Sequence, residues 1–380
     1  MKTVLLAMFV SVAVAAVAKT PPPVYPAPTD YNEVFKGLKF REIGPAAMGG
    51  RIDDFAVVES NPDIIYVGTA SGGVFKTTNG GVTWDPVFDD QPTSTVGDVT
   101  VAPSDPSIVW VGSGEANNRQ SGSWGNGVYK STDAGRTWKN MGLANTMHIG
   151  RIVISPADPN TVYVAAGGNL WGASKDRGVY KTTDGGKTWS NVLFVNDDAG
   201  ATDIAMDPDS PGTLIAAMYQ RRRTVFGFSG SGPGSGMYKT TDGGATWKKL
   251  EKGLPWDPDA KKPAADKDKD VDPQSAKEIG RIGVNFYRRN SNVVYALVEH
   301  ANGGIFRSDD GGETWTKQSE TNPRGSYYSQ VVIDPNNDQR VWVHGAQMYY
   351  SEDAGKTFKT NVVQKIHGDY HAMWIDPHDS

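Results

Sequence analysis

The chain has 380 residues, and its 44 glycines, 11 tryptophans and 15 tyrosines, without sustained helical periodicity, predict an all-β protein. Its formal net charge of −5 argues against nucleic acid and against an anionic membrane surface as partners. The absence of cysteine excludes disulfide bonds and thiolate metal sites.

The N-terminus predicts export. A short positive start, Met1-Lys2, precedes an apolar run at 4–17, and Ala16-Val17-Ala18 fits a signal-peptide cleavage site. A membrane anchor is the alternative, but the apolar run is short for a span and no stop-transfer flank follows it. We therefore predict a signal peptide at 1–18, a proline-rich linker at 19–35, and a secreted or periplasmic protein without a membrane span after cleavage.

An eight-residue pattern recurs along the chain. It reads serine or threonine, any residue, aspartate or asparagine, any residue, glycine, any residue, threonine, and tryptophan or phenylalanine. Its six copies are Thr77–Trp84, Ser131–Trp138, Thr182–Trp189, Thr240–Trp247, Ser308–Trp315 and Ser351–Phe358. The acidic or amide side chain can accept a hydrogen bond from the backbone N–H two residues on, and the glycine allows the positive φ of a tight hairpin. Each copy is the Asp-box, or BNR repeat, and is predicted to join two antiparallel strands as scaffold without a catalytic role.

A second repeat lies before each Asp-box: a strand, a turn with proline, asparagine or aspartate, and another strand. In the third unit, for example, Ile152–Ile154 turns at Asp158-Pro159 into Val162–Val164. Together with the two strands that flank the box, each unit holds four antiparallel strands, which is one blade of a β-propeller. Residues 36–380 are thus predicted to form an all-β Asp-box propeller of six four-stranded blades plus the first strand of a seventh, an incomplete ring.

The spacing of the boxes locates insertions. Successive boxes begin 54, 51, 58, 68 and 43 residues apart. The gap of 68 residues contains a solvated insertion at 251–277, and the gap of 58 contains a loop rich in glycine and serine at 227–236. The last residues match the start of a further unit, so we expect the remaining C-terminal part of the same protein as a partner, and Leu38–Ile43 as a strand available to close the ring.

The boxes, the signal peptide and the strings Phe40–Pro45 and Gly49–Ile52 resemble secreted bacterial proteins with tandem Asp-box propellers. These proteins are grouped with the sortilin/Vps10 luminal domain and with BNR-type glycosyl hydrolases. The resemblance implies the propeller fold, which hosts binding proteins and enzymes alike. Sortilin-like domains bind peptides, whereas xyloglucan-specific propeller endoglucanases use a catalytic aspartate in the first blade, where this sequence has Ala70. Sialidases use an arginine triad, whose spacing is not found here.

Propeller ligands bind where the loops between second and third strands meet the axis, so these loops and the first strands supply the candidate residues. The candidate catalytic residues are Glu115, Asp203 and Asp369. The candidate ligand-binding residues are Arg51, Arg119, Trp124, His148, Arg151, Trp171, Arg281, His344 and His371. No metal site and no cofactor are predicted.

Each candidate has a structural alternative. Glu115 is the best acid or base, with Asp203 or Asp369 as the second carboxylate that a glycosidase needs about 5–10 Å away, or it is a solvated surface group. The arginines favour an anionic or polar ligand, or they bond carbonyl groups of neighbouring blades. The aromatic residues Trp124, Trp171 and Tyr219 stack on sugar rings or pack between blades. The run His367–His371 alternates metal-ligating side chains, or it is a hydrogen-bonded first strand.

Two classes of function follow from these residues. The first is a secreted propeller that binds a peptide or a carbohydrate on its loop-rich face, and Ala70 in place of the catalytic aspartate favours it. The alternative is a glycoside hydrolase that acts on a polysaccharide through paired carboxylates. A purely structural scaffold is a third interpretation.

Overall fold

The computed structural model of the protein describes residues 51–118, 122–257, 278–360, 362–363 and 366–380. This part of the chain is almost entirely β-sheet, and its helical content is one 3-10 turn at Ala144–Thr146. It contains no helix with the length and apolar character needed to cross a membrane. The predicted signal peptide, linker and closing strand, together with Arg119 and most of the predicted insertion at 251–277, lie outside the described residues.

Six sheets follow one another along the described chain, one for each predicted unit. Sheet 1 consists of β1 (Ile52–Val57), β2 (Ile65–Thr69), β3 (Gly73–Thr77) and β4 (Asp85–Pro86). Sheet 2 consists of β5 (Val96–Ala102), β6 (Asp105–Ser113), β7 (Val128–Ser131) and β8 (Lys139–Asn140). Sheet 3 consists of β9 (Ile149–Ile154), β10 (Val162–Ala166), β11 (Gly178–Thr182) and β12 (Ser190–Leu193).

Sheet 4 is interrupted by a small hairpin. Its first two strands are β13 (Ala199–Met206) and β14 (Leu214–Gln220), the hairpin is β15 (Arg222–Thr224) and β16 (Gly227–Ser229), and its last two strands are β17 (Gly236–Thr240) and β18 (Lys248–Lys249). Sheet 5 consists of β19 (Ile282–Phe286), β20 (Val294–Val298), β21 (Gly304–Ser308) and β22 (Thr316–Ser319). Sheet 6 consists of β23 (Val331–Asp334), β24 (Asn337–Val343) and β25 (Tyr349–Ser351).

The sheets are arranged as propeller blades. Within each one the strands pair antiparallel in sequence order, and the first strands of successive sheets, β1, β5, β9, β13, β19 and β23, pack beside one another. The all-β propeller fold is therefore confirmed, while the number of blades in the closed ring stays a prediction. Among the described residues that follow the sixth box, the fourth strand of sheet 6 is represented by one bridge, between Tyr350 and Lys359. Residues 372–380, the predicted start of a seventh unit, form no strand, so the predicted first strand of that unit is not observed.

Each Asp-box joins the third and fourth strands of its sheet, as predicted, but its hydrogen bonds are more extensive than the simple turn expected. In the second box the Asp133 carboxylate accepts from the backbone N–H of Thr137 at 2.8 Å and from its hydroxyl at 2.7 Å. Ser131 Oγ donates to Asp133 at 2.7 Å and accepts from the N–H of Gly135, whose φ is 84°. The Asp-box aspartate therefore closes the hairpin across four residues, not two, and the serine and the threonine complete it.

The hydrophobic core lies between neighbouring sheets, because each of its five buried clusters draws residues from two consecutive sheets. Fully buried Trp110 of sheet 2 meets Trp189 of the third box edge to face, with 5.9 Å between ring centres. The indole nitrogen of Trp189 donates to the carbonyl oxygen of Met141 at 2.8 Å. The box tryptophan thus anchors its own sheet to the sheet before it, and this packing fixes the positions of the loops at the opposite end.

Candidate functional site

The loops with candidate residues lie at the end of the sheets opposite the Asp-boxes. We call this end the loop face. It carries the connections between second and third strands, such as 114–127, 167–177 and 221–235, and the connections from one sheet to the next. Because the first strands begin at the loop face beside the axis, the side chains near their starts are brought close to these loops.

Glu115 is buried at the loop face, so the solvated-surface alternative for it is wrong. Only 2% of its side chain is exposed, and its Oε1 accepts a hydrogen bond from Arg51 Nη2. Burial raises the pKa of Glu115, and the positive charge of Arg51 opposes that rise. Beside it, Asp53 accepts from the amide of Asn117 at 2.9 Å, and burial followed by the charge of Glu115 holds the pKa of Asp53 well above its usual value. A carboxyl group with a raised pKa has the property that a general acid needs.

Asp203 belongs to a second cluster, on the axis. Arg151 Nε lies 3.3 Å from Asp203 Oδ1, and Arg151 Nη1 lies 3.3 Å from Asp98 Oδ1 and 3.6 Å from Asp54 Oδ1. Asp203 Oδ2 accepts from the N–H of Val284 at 3.0 Å. These five residues stand on β1, β5, β9, β13 and β19, so the cluster joins the first strands of five consecutive sheets. Both oxygens of Asp203 are engaged in holding the sheets together, which assigns it to the scaffold.

Burial raises the pKa of two carboxyl groups in this axial cluster. Burial, followed by the charge of Asp54, holds the pKa of Asp98 well above its usual value. Burial also raises the pKa of Asp54, while the charge of Arg151 opposes the rise. A single guanidinium facing three carboxyl groups cannot neutralise them all, so a protonated Asp98 hydrogen-bonded to Asp54 relieves the repulsion.

Asp369 meets Tyr328 and His371 at the axis. Tyr328 donates its hydroxyl proton to Asp369 Oδ1, which lies 3.4 Å from His371 Nε2. Burial and the hydrogen bond to Asp369 raise the pKa of Tyr328. His367 is exposed while His371 is buried, because no strand forms there and Asp369 has a φ of 91°. The predicted convergence of the alternating side chains is therefore wrong, and the described residues hold no metal-binding group of three or more ligands.

The remaining predicted polar residues make internal contacts. His148 Nδ1 donates to the carbonyl oxygen of Glu115 at 2.8 Å, and burial followed by the charge of Arg221 lowers the pKa of His148 to about 4. His344 Nδ1 donates to Gln330 at 2.7 Å. Arg281 donates to the carbonyl oxygen of Tyr327, as the structural alternative for the arginines expected. An axial cavity of about 360 Å³ brings four predicted residues together, namely Arg151, Asp203, His344 and His371.

Exposed aromatic side chains line one side of the loop face. Trp124 is 66% exposed and Trp171 is 51% exposed, so neither is buried between blades. Phe194 is 43% exposed in the connection from sheet 3 to sheet 4, and Phe226 is 98% exposed at the tip of the hairpin β15–β16. We call these four residues the aromatic arc. Sequence reasoning missed Phe226 because it treated the segment from 227 onwards as a glycine-rich loop, whereas Arg222–Ser229 form a hairpin.

Arg177 and Arg221 are the most unexpected residues beneath the loop face. The sequence places both in polar loops, but the structure leaves them only 0% and 4% exposed. Neither is part of an ion pair within the described residues. The signal that could have found them is weak, since a buried and a solvated arginine look alike in a loop sequence.

Comparison with known proteins identifies the repeats. The family model of the sortilin, neurotensin receptor 3 domain matches residues 126–277, and the BNR/Asp-box repeat model matches residues 306–317. The predicted resemblance to sortilin-like and BNR-type repeat proteins is thus confirmed.

Similar proteins of named activity are xyloglucanases. A xyloglucanase from a Paenibacillus species is 27% identical over 236 residues, which are 55% of this chain and 22% of the relative. A probable oligoxyloglucan-reducing end-specific xyloglucanase from Neosartorya fischeri is 24% identical over 82% of this chain and 40% of the relative. The GH74 xyloglucanase structure from Xanthomonas campestris superposes with a TM-score of 0.59 at 18% identity, over 80% of this chain and 45% of that one. The chain thus spans less than half the length of these relatives.

Proposed function

We propose that this protein binds a polysaccharide of the xyloglucan class along its loop face, with the sugar rings stacked on the aromatic arc. The observation that carries the proposal is the exposure of four aromatic side chains in the loops at this end of sheets 2, 3 and 4, in a chain whose relatives are xyloglucanases. A flat ring exposed to water is unfavourable unless a ligand covers it, and the C–H faces of pyranose rings are suited to such stacking.

Polar groups near the axis would complement the arc. Arg51 and Arg151 keep 26% and 31% of their side chains exposed, so their remaining N–H groups can donate to sugar hydroxyl groups. A neutral polysaccharide needs such a mixture of aromatic platforms and hydrogen-bond donors, and it needs no net charge on the protein.

Binding is tested on the full chain by titration calorimetry with xyloglucan oligosaccharides. Trp124→Ala and Trp171→Ala should each weaken binding about fivefold, since one aromatic contact is worth about 1 kcal/mol. Trp84→Ala is the matched control, because Trp84 is 40% exposed but lies on an Asp-box at the opposite end. Equal effects of all three variants, or no binding by the wild-type chain, would refute the proposal.

A peptide ligand was the other class predicted, and a peptide array probes it with the same preparation. Binding to peptides but to no polysaccharide would replace the glycan in this proposal. If Trp124→Ala and Trp171→Ala both weaken peptide binding, the aromatic arc is then assigned to a peptide site.

Glycoside hydrolysis is the second candidate function. What favours it is the buried carboxyl group of Glu115, whose pKa is raised by burial, together with the more exposed carboxyl group of Asp369; the charges of both raise the pKa of Tyr327. Against it stand the ion pair between Glu115 and Arg51 and the buried Ala70 at the position of the relatives' aspartate. Release of reducing ends from a polysaccharide panel, abolished by Glu115→Gln and retained by Glu313→Gln on the exposed rim, would establish hydrolysis.

Export is part of the same proposal. The predicted signal peptide at 1–18 would deliver the propeller to the periplasm or the medium, where polysaccharides are found. N-terminal sequencing of the protein recovered outside the cytoplasm should begin at Lys19. Recovery of the uncleaved chain in the cytoplasmic fraction would contradict this assignment.

A further inference from the structure

One loop of sheet 3, residues 167–177, carries Trp171 of the aromatic arc and ends at Arg177. We call it the Trp171 loop. Trp171 is 51% exposed, whereas Arg177 is 0% exposed. An arginine is rarely buried completely unless its guanidinium group has specific partners. The partners of Arg177 therefore indicate what this buried group does for the loop.

The guanidinium group of Arg177 binds the main chain on both sides of Trp171. Its Nη1 donates to the carbonyl oxygen of Gly167 at 3.0 Å, and its Nη2 donates to that of Asn169 and, at 3.5 Å, to that of Gly172. The N–H of Trp171 donates in turn to Asn169 Oδ1 at 2.9 Å. The backbone that displays Trp171 is thus folded around one planar group, whose N–H donors point in fixed directions.

The surrounding chain is adapted to a buried arginine at this position. A Cβ atom on Gly168 would lie 2.3 Å from Arg177 Cγ, and Gly168 has a φ of 73°, so only glycine fits there. The amide of Asn191 donates to the carbonyl oxygen of Arg177 at 2.9 Å. Burial lowers the pKa of Arg177 to about 10, against the attraction of Asp198, so the group is still charged at neutral pH.

The same group reaches the hairpin of sheet 4 that carries Phe226. Arg177 Nη2 donates to the carbonyl oxygen of Arg221, the residue before the hairpin, at 3.1 Å. A second bond joins the two segments, since the N–H of Arg223 donates to the carbonyl oxygen of Leu170 at 2.7 Å. Both bonds end next to an aromatic-bearing segment, so the hairpin and the Trp171 loop are held as one unit.

The connection that carries Phe194 belongs to this unit as well. The N–H of Ser174 donates to the carbonyl oxygen of Asp197 at 3.0 Å, and the N–H of Arg221 donates to that of Asp198 at 3.0 Å. Main-chain hydrogen bonds therefore join all three segments of sheets 3 and 4 that display an exposed aromatic ring. Arg177 contributes to this network from its buried side.

We propose that Arg177 is a positioning residue of the aromatic arc, which fixes the Trp171 loop against the hairpin so that Trp171 and Phe226 form a preformed platform. This inference rests on the proposed function for the identity of the ligand. Rings that are ordered before binding lose less conformational entropy when a sugar stacks on them. The arrangement explains how large side chains can be exposed on loops and still be held in a defined position.

Trp124 provides an internal comparison, because its loop is held without Arg177. The N–H of Glu115 donates to the carbonyl oxygen of Ser123 at 3.1 Å, and the N–H of Gly125 donates to that of Met147 at 2.7 Å. These bonds fix the residues on both sides of Trp124. A change at Arg177 should therefore affect Trp171 and leave Trp124 in place.

Hydrogen–deuterium exchange of the full chain tests the positioning without any ligand. Arg177→Met should accelerate exchange at residues 168–176 and 220–228 by about tenfold, at a temperature well below the Tm of each variant. Arg307→Met is the matched control, because that arginine is also largely buried but binds Tyr295 and Asp338 at the Asp-box end. Unchanged exchange in both segments, or equal acceleration there in the control, would overturn the proposal.

Titration calorimetry with xyloglucan oligosaccharides tests the consequence for binding. Arg177→Met should weaken binding at least as much as Trp171→Ala, about fivefold, because it releases the same ring. In the Arg177→Met background Trp171→Ala should add little, whereas Trp124→Ala should keep its full effect. Arg307→Met should bind as the wild type does. Unchanged binding by Arg177→Met, or full additivity with Trp171→Ala, would contradict the positioning role.

Two further outcomes are separable. If the wild-type chain binds no glycan, the proposed function fails, and the exchange measurement alone decides whether Arg177 positions the two segments. If Arg177→Met does not fold, Arg177→Lys replaces it, since lysine keeps the charge but offers one nitrogen in place of the guanidinium fork. Faster exchange of the two segments in Arg177→Lys supports the proposal, and exchange at the wild-type rate refutes it.

Discussion

Arg151 offers the sharpest test of how the sheets are held together at the axis. Its guanidinium contacts Asp54, Asp98 and Asp203 at 3.3–3.6 Å, and these carboxyl groups come from three other sheets. Arg151→Met keeps most of the side-chain volume but leaves buried carboxyl groups without a cation. Removing one partner of a buried ion pair costs about 3–5 kcal/mol. Because 31% of the Arg151 side chain is exposed, solvent screening lowers our expectation to about 2–3 kcal/mol.

Chemical denaturation measures this loss as a lower midpoint, and thermal unfolding as a fall in Tm of about 5 °C. Arg288→Met is the control, because its ion pair with Glu59 is exposed and should be worth less than about 1 kcal/mol. Adding Asp98→Asn to Arg151→Met removes one unpaired carboxyl group and should recover part of the loss. Equal stability of the Arg151 and Arg288 variants would refute the central role of the axial cluster.

The remaining predictions concern a box, a histidine and the core. Asp133→Ala removes the acceptor of the second Asp-box, whose pKa is lowered to about 2 chiefly by the Thr137 hydroxyl, and should lower stability by about 1–2 kcal/mol in urea denaturation. Burial lowers the pKa of His148 in the folded state to about 4, so the folded state disfavours the charged imidazole. The free energy of unfolding is therefore unaffected by this group above pH 6.5 and falls as the pH drops from about 6.5 towards 4. In unfolding measured as a function of pH, His148→Gln should lose less stability in acid than the wild-type chain. Trp110→Ala empties the contact with Trp189 and should cost about 3–5 kcal/mol, which calorimetry measures against Trp84→Ala as an exposed control.

The Asp-boxes were predictable because the hydrogen bonds that build them are local. Asp133, Thr137 and Gly135 lie within five residues of one another, so sequence spacing is enough to specify the hairpin. The order of the strands followed from the same repeats. What the spacing could not give was the single bridge between Tyr350 and Lys359 that represents the fourth strand of sheet 6 among the described residues.

The candidate site was less predictable, because its contacts join residues far apart in sequence. Glu115 pairs with Arg51, 64 residues away, so its burial was not visible in its own loop. The sequence alone suggests Asp203 as a candidate acid. Only the structure shows that Arg151 and Val284 contact both of its carboxylate oxygens. The polarity of the surrounding loop sequences predicts that Arg177 and Arg221 are exposed to solvent, whereas the structure buries both. Trp124 and Trp171, in contrast, were placed correctly on the loop face. All loops between second and third strands lie at the same end of the sheets, so the position of these residues in the sequence was enough to locate them.

The central claim is that a polysaccharide lies across the aromatic arc, and a structure of the full chain with a xyloglucan oligosaccharide tests it most directly. We expect sugar density stacked against Trp124 and Trp171, with a hydroxyl group within hydrogen-bond distance of Arg51 or Arg151. Sugar density confined to the Asp-box end, or a loop face that stays empty at saturating oligosaccharide, would contradict the claim.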